Sequence, residues 1–144
     1  MTDSDFRTGL IALIGPPNSG KSTLLNYMIG QKISIVSPKA QTTRNQISGI
    51  LTTDDMQIIF LDTPGVHERR GKMNKFLLQS AWQALASTDI VALVLDAGMF
   101  TQKPSLFEKD LKRFQRALKE SDRPLLLVLN KTDTFKNKSA LLPL

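Results

Sequence analysis

The residues Gly15 to Ser22, reading Gly-Pro-Pro-Asn-Ser-Gly-Lys-Ser, have the types and spacing of a phosphate cradle, Gly-x-x-x-x-Gly-Lys-Ser. The chemistry is anion capture. Backbone N–H groups of such a loop and of the helix start behind it converge on one small volume, where a phosphate replaces the water they would otherwise need. Lys21 adds a full positive charge, and the Ser22 hydroxyl suits a hard cation such as Mg²⁺ that bridges phosphate oxygens. Gly15, Pro16, Pro17, Asn18, Ser19, Gly20, Lys21, Ser22 and Thr23 are therefore read as the phosphate-binding segment of a nucleoside triphosphate site.

Two further motifs follow strand-like apolar runs and supply what this loop lacks. Asp62-Thr63-Pro64-Gly65 comes directly after Ile58-Ile59-Phe60-Leu61, so the Asp62 carboxylate is expected at the metal edge of the cradle, acting through a bound water. Gly65 has no side chain to keep its N–H from a terminal phosphate. Asn130-Lys131-Thr132-Asp133 follows Leu125 to Leu129 and reads as a base-selecting loop. A carboxylate at Asp133 accepts from both the ring N–H and the exocyclic amine of guanine, whereas adenine presents an acceptor at the first position and no amine at the second. Taken as buried, such a carboxylate would favour guanine by about 10⁴-fold or more. Asn130 would tie this loop to the phosphate loop, and the stem of Lys131 would lie across the base. Each tetrapeptide alone would also suit an ordinary turn. Their order behind the phosphate loop is what makes one site of them.

The elements that must position these motifs are legible as an alternation. Leu10 to Ile14 reads as a strand and Thr23 to Ile29 as a helix, stopped at Gly30. A long polar connection, Gln31 to Asn45, carries Thr42 and Thr43; either hydroxyl would complete a Mg²⁺ shell when a γ-phosphate is bound, and Thr43 is the favoured ligand. Gln46 to Thr52 and Gln57 to Leu61 read as an antiparallel pair. A helix from about Asn74 to Ala86, a buried strand from Ile90 to Leu95, a helix from Leu106 to Lys119 and another buried strand from Pro124 to Leu129 complete the pattern. This predicts an α/β open sheet, mostly parallel with one antiparallel edge strand, helices on both faces, and a ligand above the carboxyl ends of the strands.

Composition narrows the class further. At 144 residues the chain suits one domain, and the absence of cysteine removes disulfides and thiolate metal sites. The longest apolar runs fall far short of the roughly 20 residues that span a bilayer. A net charge of +6 favours polyanion contact, with basic clusters at Arg69 to Lys75 and on the helix carrying Lys109, Lys112, Arg113, Arg116 and Lys119. Charge alone does not separate a solvated helix face from a nucleic-acid contact. A small-molecule kinase with the same phosphate loop is disfavoured, because Asn130 to Asp133 selects guanine and no acceptor pocket is evident.

The phosphate loop, the words Gln-Lys-Ile-Ser-Ile and Ala-Gln-Thr-Thr-Arg between Gln31 and Arg44, Asp-Thr-Pro-Gly-Val-His from Asp62 to His67, and Asn-Lys-Thr-Asp together resemble the Era-type bacterial GTPases, of the TrmE-Era-EngA class, from about Gly9 to Leu142. The resemblance implies a P-loop NTPase of the Ras-like G-domain type that binds GTP and GDP with Mg²⁺ held by Ser22, Thr43 and Asp62. It implies a cytoplasmic switch in 16S ribosomal RNA processing and assembly of the small (30S) ribosomal subunit, with peripheral contact to the inner membrane. Proteins of this type carry a further base-backing loop and then an RNA-binding KH domain after the segment matched here. On that comparison, residues 1–144 are expected to form an Era-type G domain without its C-terminal part. A sister ribosome-assembly or tRNA-modification GTPase would share most motifs, and a GTP-dependent binding module with negligible turnover is the rival from another class.

Val66 stands where many Ras-like GTPases place a glutamine that orients the attacking water, and valine cannot do so. Lys21, Asn18, Thr43 and Gly65 are the groups read as acting on the transferred phosphoryl; the resemblance to GTPases with such a hydrophobic substitution implies that Asn18 helps to hold a K⁺ ion, which would stabilise developing charge. His67, the only histidine, reads as a surface residue rather than a base. Slow turnover is expected, faster in K⁺ than in Na⁺; equal rates in the two chloride salts would remove the potassium role and leave the GTPase assignment standing.

Overall fold

The structure, a computed structural model, describes residues 5–16, 18–30, 46–62, 85–119 and 122–141. Five strands form one sheet: β1 (Arg7–Ile14), β2 (Gln46–Thr52), β3 (Met56–Asp62), β4 (Ile90–Asp96) and β5 (Leu125–Asn130), in the order β2-β3-β1-β4-β5. All pairs are parallel except β2 with β3. Helix α1 (Lys21–Ile29) follows β1; α2 (Ala97–Gln102) and α3 (Pro104–Leu118) follow β4; and two single-turn 3₁₀ segments, Thr132–Thr134 and Lys138–Leu141, follow β5. The open α/β sheet with one antiparallel edge pair is the architecture expected from the sequence.

The strand order explains where a ligand belongs. β3 lies on one side of β1 and β4 on the other, so the chain leaving β1 enters a gap between connections that diverge in opposite directions. The register places Leu13 opposite Asp62 and Ile14 opposite Leu93, and it places Asp96 opposite Asn130. The carboxyl ends of β1, β3, β4 and β5 therefore share one edge of the sheet.

Two apolar layers hold the sheet, because successive side chains of a strand face opposite ways. From β4, Val91, Leu93 and Leu95 pack with Phe107, Phe114 and Leu118 of α3; Ala92 and Val94 pack with Leu25 and Ile29 of α1. The α3 stripe follows helical spacing, and Pro104 sits at the helix start, where its missing N–H costs nothing. Lys109 and Lys112 lie on its exposed face. There Lys112 meets Glu108 at 3.7 Å, a surface pair of little energetic consequence.

Several boundaries differ from the sequence reading. β1 begins at Arg7 rather than Leu10, because pairing with β3, and a bond from Arg7 N to Asp55 O at 3.0 Å, carry the strand beyond its apolar run. A register shift between Ile47 and Gly49 interrupts β2, and a Cβ at Gly49 would run into Ile29, so glycine lets α1 approach that strand. Helix α2 has no counterpart in the sequence reading; the Asp96 carboxylate caps it by accepting from Gly98 N at 2.8 Å, and Phe100 packs edge-to-face on Phe107 with centroids 5.6 Å apart. Of the helix expected at 74–86, only 85–86 are described. They are helical, with Leu85 in the core.

The buried-strand reading fails for β5. Leu125, Leu126 and Leu127 are 46%, 54% and 39% exposed, while Leu93 and Val94 of β4 are fully buried. β5 is the outermost described strand on its side of the sheet, so its apolar run lacks the cover that the central position gives β4. In urea denaturation, Leu93→Ala is expected to lose about 2–5 kcal/mol. Leu127→Ser should lose less than about 1 kcal/mol; comparable losses at the two positions would contradict this distribution of burial.

Candidate functional site

The turn out of β1 requires glycine at both of its ends. Gly15 has φ +153°, and a Cβ there would strike Val94 O and lie 3.1 Å from Ser19 Oγ; Gly20 has φ +92°, and a Cβ there would strike the Asn130 amide. Between them Asn18 adopts a left-handed backbone, φ 62°, which asparagine tolerates better than most residues. Gly20 then caps α1 with no side-chain acceptor on the first turn. Those N–H groups keep their capacity for an anion.

Lys21 Nζ donates to Gly15 O at 2.9 Å and Pro16 O at 2.8 Å, which holds the ammonium against the inside of the loop. Ser22 is exposed on the first turn of α1. Ser19 is placed differently from a phosphate ligand by side chain. It is 1% exposed, and its Oγ has no hydrogen-bond partner among the described residues. Ser19 serves the site through its backbone carbonyl.

That carbonyl accepts from Asn130 Nδ2 at 2.9 Å across a sequence separation of 111 residues. This is the tie between loops that the sequence reading asked of Asn130. Lys131 adds another: its Nζ donates to Asn18 O at 2.7 Å and to Asp96 Oδ2 at 2.8 Å. Its ammonium is therefore anchored to the phosphate loop, leaving the stem as the part that can face a base. The turn is closed by Thr134 Oγ1 donating to Lys131 O at 2.8 Å.

Asp133 lies in the 3₁₀ turn Thr132–Thr134 and is exposed. It is not the buried carboxylate expected from the sequence: water satisfies Asp133 until a base covers it, so the discrimination available is smaller. Asp96 is the residue the sequence reading missed. The signal was present, since it is a polar residue ending a continuous apolar strand, as Asp62 and Asn130 are.

Pro17, the metal-ligand candidates Thr42 and Thr43, and Thr63, Pro64, Gly65, Val66 and His67 lie outside the described residues, as do the basic residues Arg69 to Lys75. Asp62 is described in its backbone only, as the last residue of β3. Among the described residues no group of three or more His, Cys, Asp or Glu is arranged to hold a metal by itself. The donors that are described, an exposed serine hydroxyl beside uncapped N–H groups and a lysine, fit a cation that takes much of its shell from phosphate oxygens. No helix among the described residues is long and apolar enough to cross a membrane.

Comparison with known proteins agrees with this geometry. A family model described as 50S ribosome-binding GTPase matches residues 10–131. GTPase Era of Nitratidesulfovibrio vulgaris (strain DSM 19637 / Miyazaki F) is 52% identical over 144 residues, covering 100% of this chain and 47% of that protein. GTPase Era of Caldicellulosiruptor saccharolyticus is 47% identical over 131 residues, covering 89% of this chain and 41% of its own. The chain thus spans about half the length of these curated relatives. A crystal structure of Era in complex with MgGDPNP and a fragment of 16S ribosomal RNA superposes with TM-score 0.72 at 36% identity, covering 96% of this chain and 45% of that one. A variant of Aquifex aeolicus Era bound to GDP and AlF4⁻ gives TM-score 0.66 at 34% identity, covering 94% and 44%. With the phosphate loop, the sheet order and the match over residues 10–131 in agreement, this chain belongs to the 50S ribosome-binding GTPase family, alongside relatives that carry the name GTPase Era.

Proposed function

We propose that the chain is a Mg²⁺-dependent guanine-nucleotide switch that binds GTP and GDP and hydrolyses GTP. The observation that carries this reading is the Asn130 to Ser19 hydrogen bond, which puts the base-selecting loop and the phosphate loop within one nucleotide's reach. Lys21 would leave its loop carbonyls for the phosphate oxygens, where charge is far more negative. Ser22, with Thr43 and Asp62, would hold Mg²⁺, which neutralises charge that builds up in phosphoryl transfer. Gly65 would bring an N–H to the terminal phosphate. With Val66 unable to orient water, the remaining stabilisation would come from Asn18 and a K⁺ ion, so turnover is slow.

The same reading extends to partners. The Era relatives, the Era structure holding 16S ribosomal RNA and the net charge of +6 support a role in small-subunit assembly in the cytoplasm; peripheral contact to the inner membrane rests on the motif resemblance alone. Residues 1–144 are read as the G domain of that switch. Val66 favours one second reading, a module that binds GTP and a ribosomal partner with negligible turnover.

Single-turnover hydrolysis separates the two. We expect slow but measurable conversion of bound GTP to GDP, lost on Lys21→Ala; no conversion above buffer alone, with GTP bound, would leave the binding module. Calorimetry should show GTP bound about 10³-fold more tightly than ATP. Asp133→Ala should remove that preference while leaving ATP binding unchanged, and equal affinity of the unaltered chain for the two nucleotides would overturn the guanine assignment.

A further inference from the structure

We infer that Asp96 is a positioning residue for the guanine loop, acting through Lys131 to set how long a guanine nucleotide stays bound. This rests on the guanine-nucleotide reading above and adds to it a residue outside the recognised motifs.

The carboxylate is used at both oxygens. Oδ1 accepts from Gly98 N at 2.8 Å, which fixes Asp96 to the first turn of α2, and Oδ2 accepts from Lys131 Nζ at 2.8 Å. Rotation of the carboxylate would break one bond or the other, so the ammonium is offered a single position. From that position Lys131 reaches Asn18 O at 2.7 Å. A continuous path then runs from the α2 N-terminus through Asp96 and Lys131 to the crest of the phosphate loop.

The backbone shows why such an anchor is needed. Asn18 and Lys131 are the non-glycine residues with positive φ among the described residues, at 62° and 59°, and this one hydrogen bond joins them. A left-handed lysine costs conformational energy and persists where its surroundings hold it. The partners at Asp96 and Asn18 do so, in a charge-assisted geometry that is stronger than a neutral hydrogen bond. With side chains 41% and 23% exposed, the Lys131–Asp96 pair is partly shielded from water rather than fully solvated. Without the charge on Asp96, Lys131 has less reason to keep its backbone and its hold on Asn18, and both loops that contact the nucleotide would loosen together. The visible effect is faster dissociation.

The test is a double-mutant cycle on the 144-residue chain, read as the dissociation rate of fluorescent mant-GDP. Asp96→Asn keeps an oxygen to accept from Gly98 N and removes the charge. We expect dissociation about tenfold faster in Asp96→Asn, and no further acceleration when Asp96→Asn is added to Lys131→Met. Where Lys131→Met releases the probe too fast to follow, the cycle is read on equilibrium Kd with the protein in excess. An effect of Asp96→Asn that persists at full size in the Lys131→Met background means that Asp96 acts through α2 packing, and overturns the inference. An unchanged rate in Asp96→Asn overturns it as well, with mant-GDP binding by the unaltered chain leaving the guanine reading intact. Failure of the unaltered, folded chain to bind mant-GDP, with folding checked by thermal melting, would remove both.

Discussion

Carbonyl groups at the crest of the phosphate loop, Asn18 O and Ser19 O, accept from side chains that arrive from the far end of the chain, Lys131 and Asn130. A loop with two left-handed glycines and a left-handed asparagine is costly to order, and its local bonds from Lys21 Nζ hold Gly15 O and Pro16 O but not the crest at Asn18 and Ser19. These long-range donors fix it. The phosphate loop and the loop from Asn130 to Asp133 are therefore joined in one mechanical unit.

The sheet makes that unit possible. β1 and β5 are separated by β4, and the ends of all three strands must lie level for Asn130 to reach Ser19. β4 provides the spacing: it is buried on both faces, between α1 on one side and α3 on the other, and its register sets Ile14 against Leu93 and Asp96 against Asn130. Burial of the central strand thus becomes the alignment of functional loops at its end. Asp96 sits where that alignment is read out, on the last residue of β4.

Much of this was legible in the sequence, and the failures have physical causes. The hairpin, α1, β4 and α3 follow from apolar periodicity and from turn residues, which are local properties. The contact between Asn130 and the phosphate loop was legible because a nucleotide site dictates residue types at fixed spacing on both loops. The exposure of Leu125 to Leu127 was not, because Leu125 to Leu129 and Ile90 to Leu95 carry the same local signal and differ only in their place in the sheet. The α2 helix was missed because six residues give too little periodicity, and its cap depends on an aspartate that also serves Lys131. The exposure of Asp133 is likewise a property of the fold. No spacing rule encodes it.

The central claim is that the two loops bind as one unit, and the most direct measurement is calorimetric titration of the unaltered chain and Asn130→Ala with both GDP and inorganic pyrophosphate. Pyrophosphate has no base, so it reports on the phosphate loop alone. The account predicts that Asn130→Ala weakens pyrophosphate binding as well as GDP binding, because Ser19 O loses the donor that holds the loop. Unchanged pyrophosphate affinity beside weakened GDP binding would show that the loops act independently, and would contradict it.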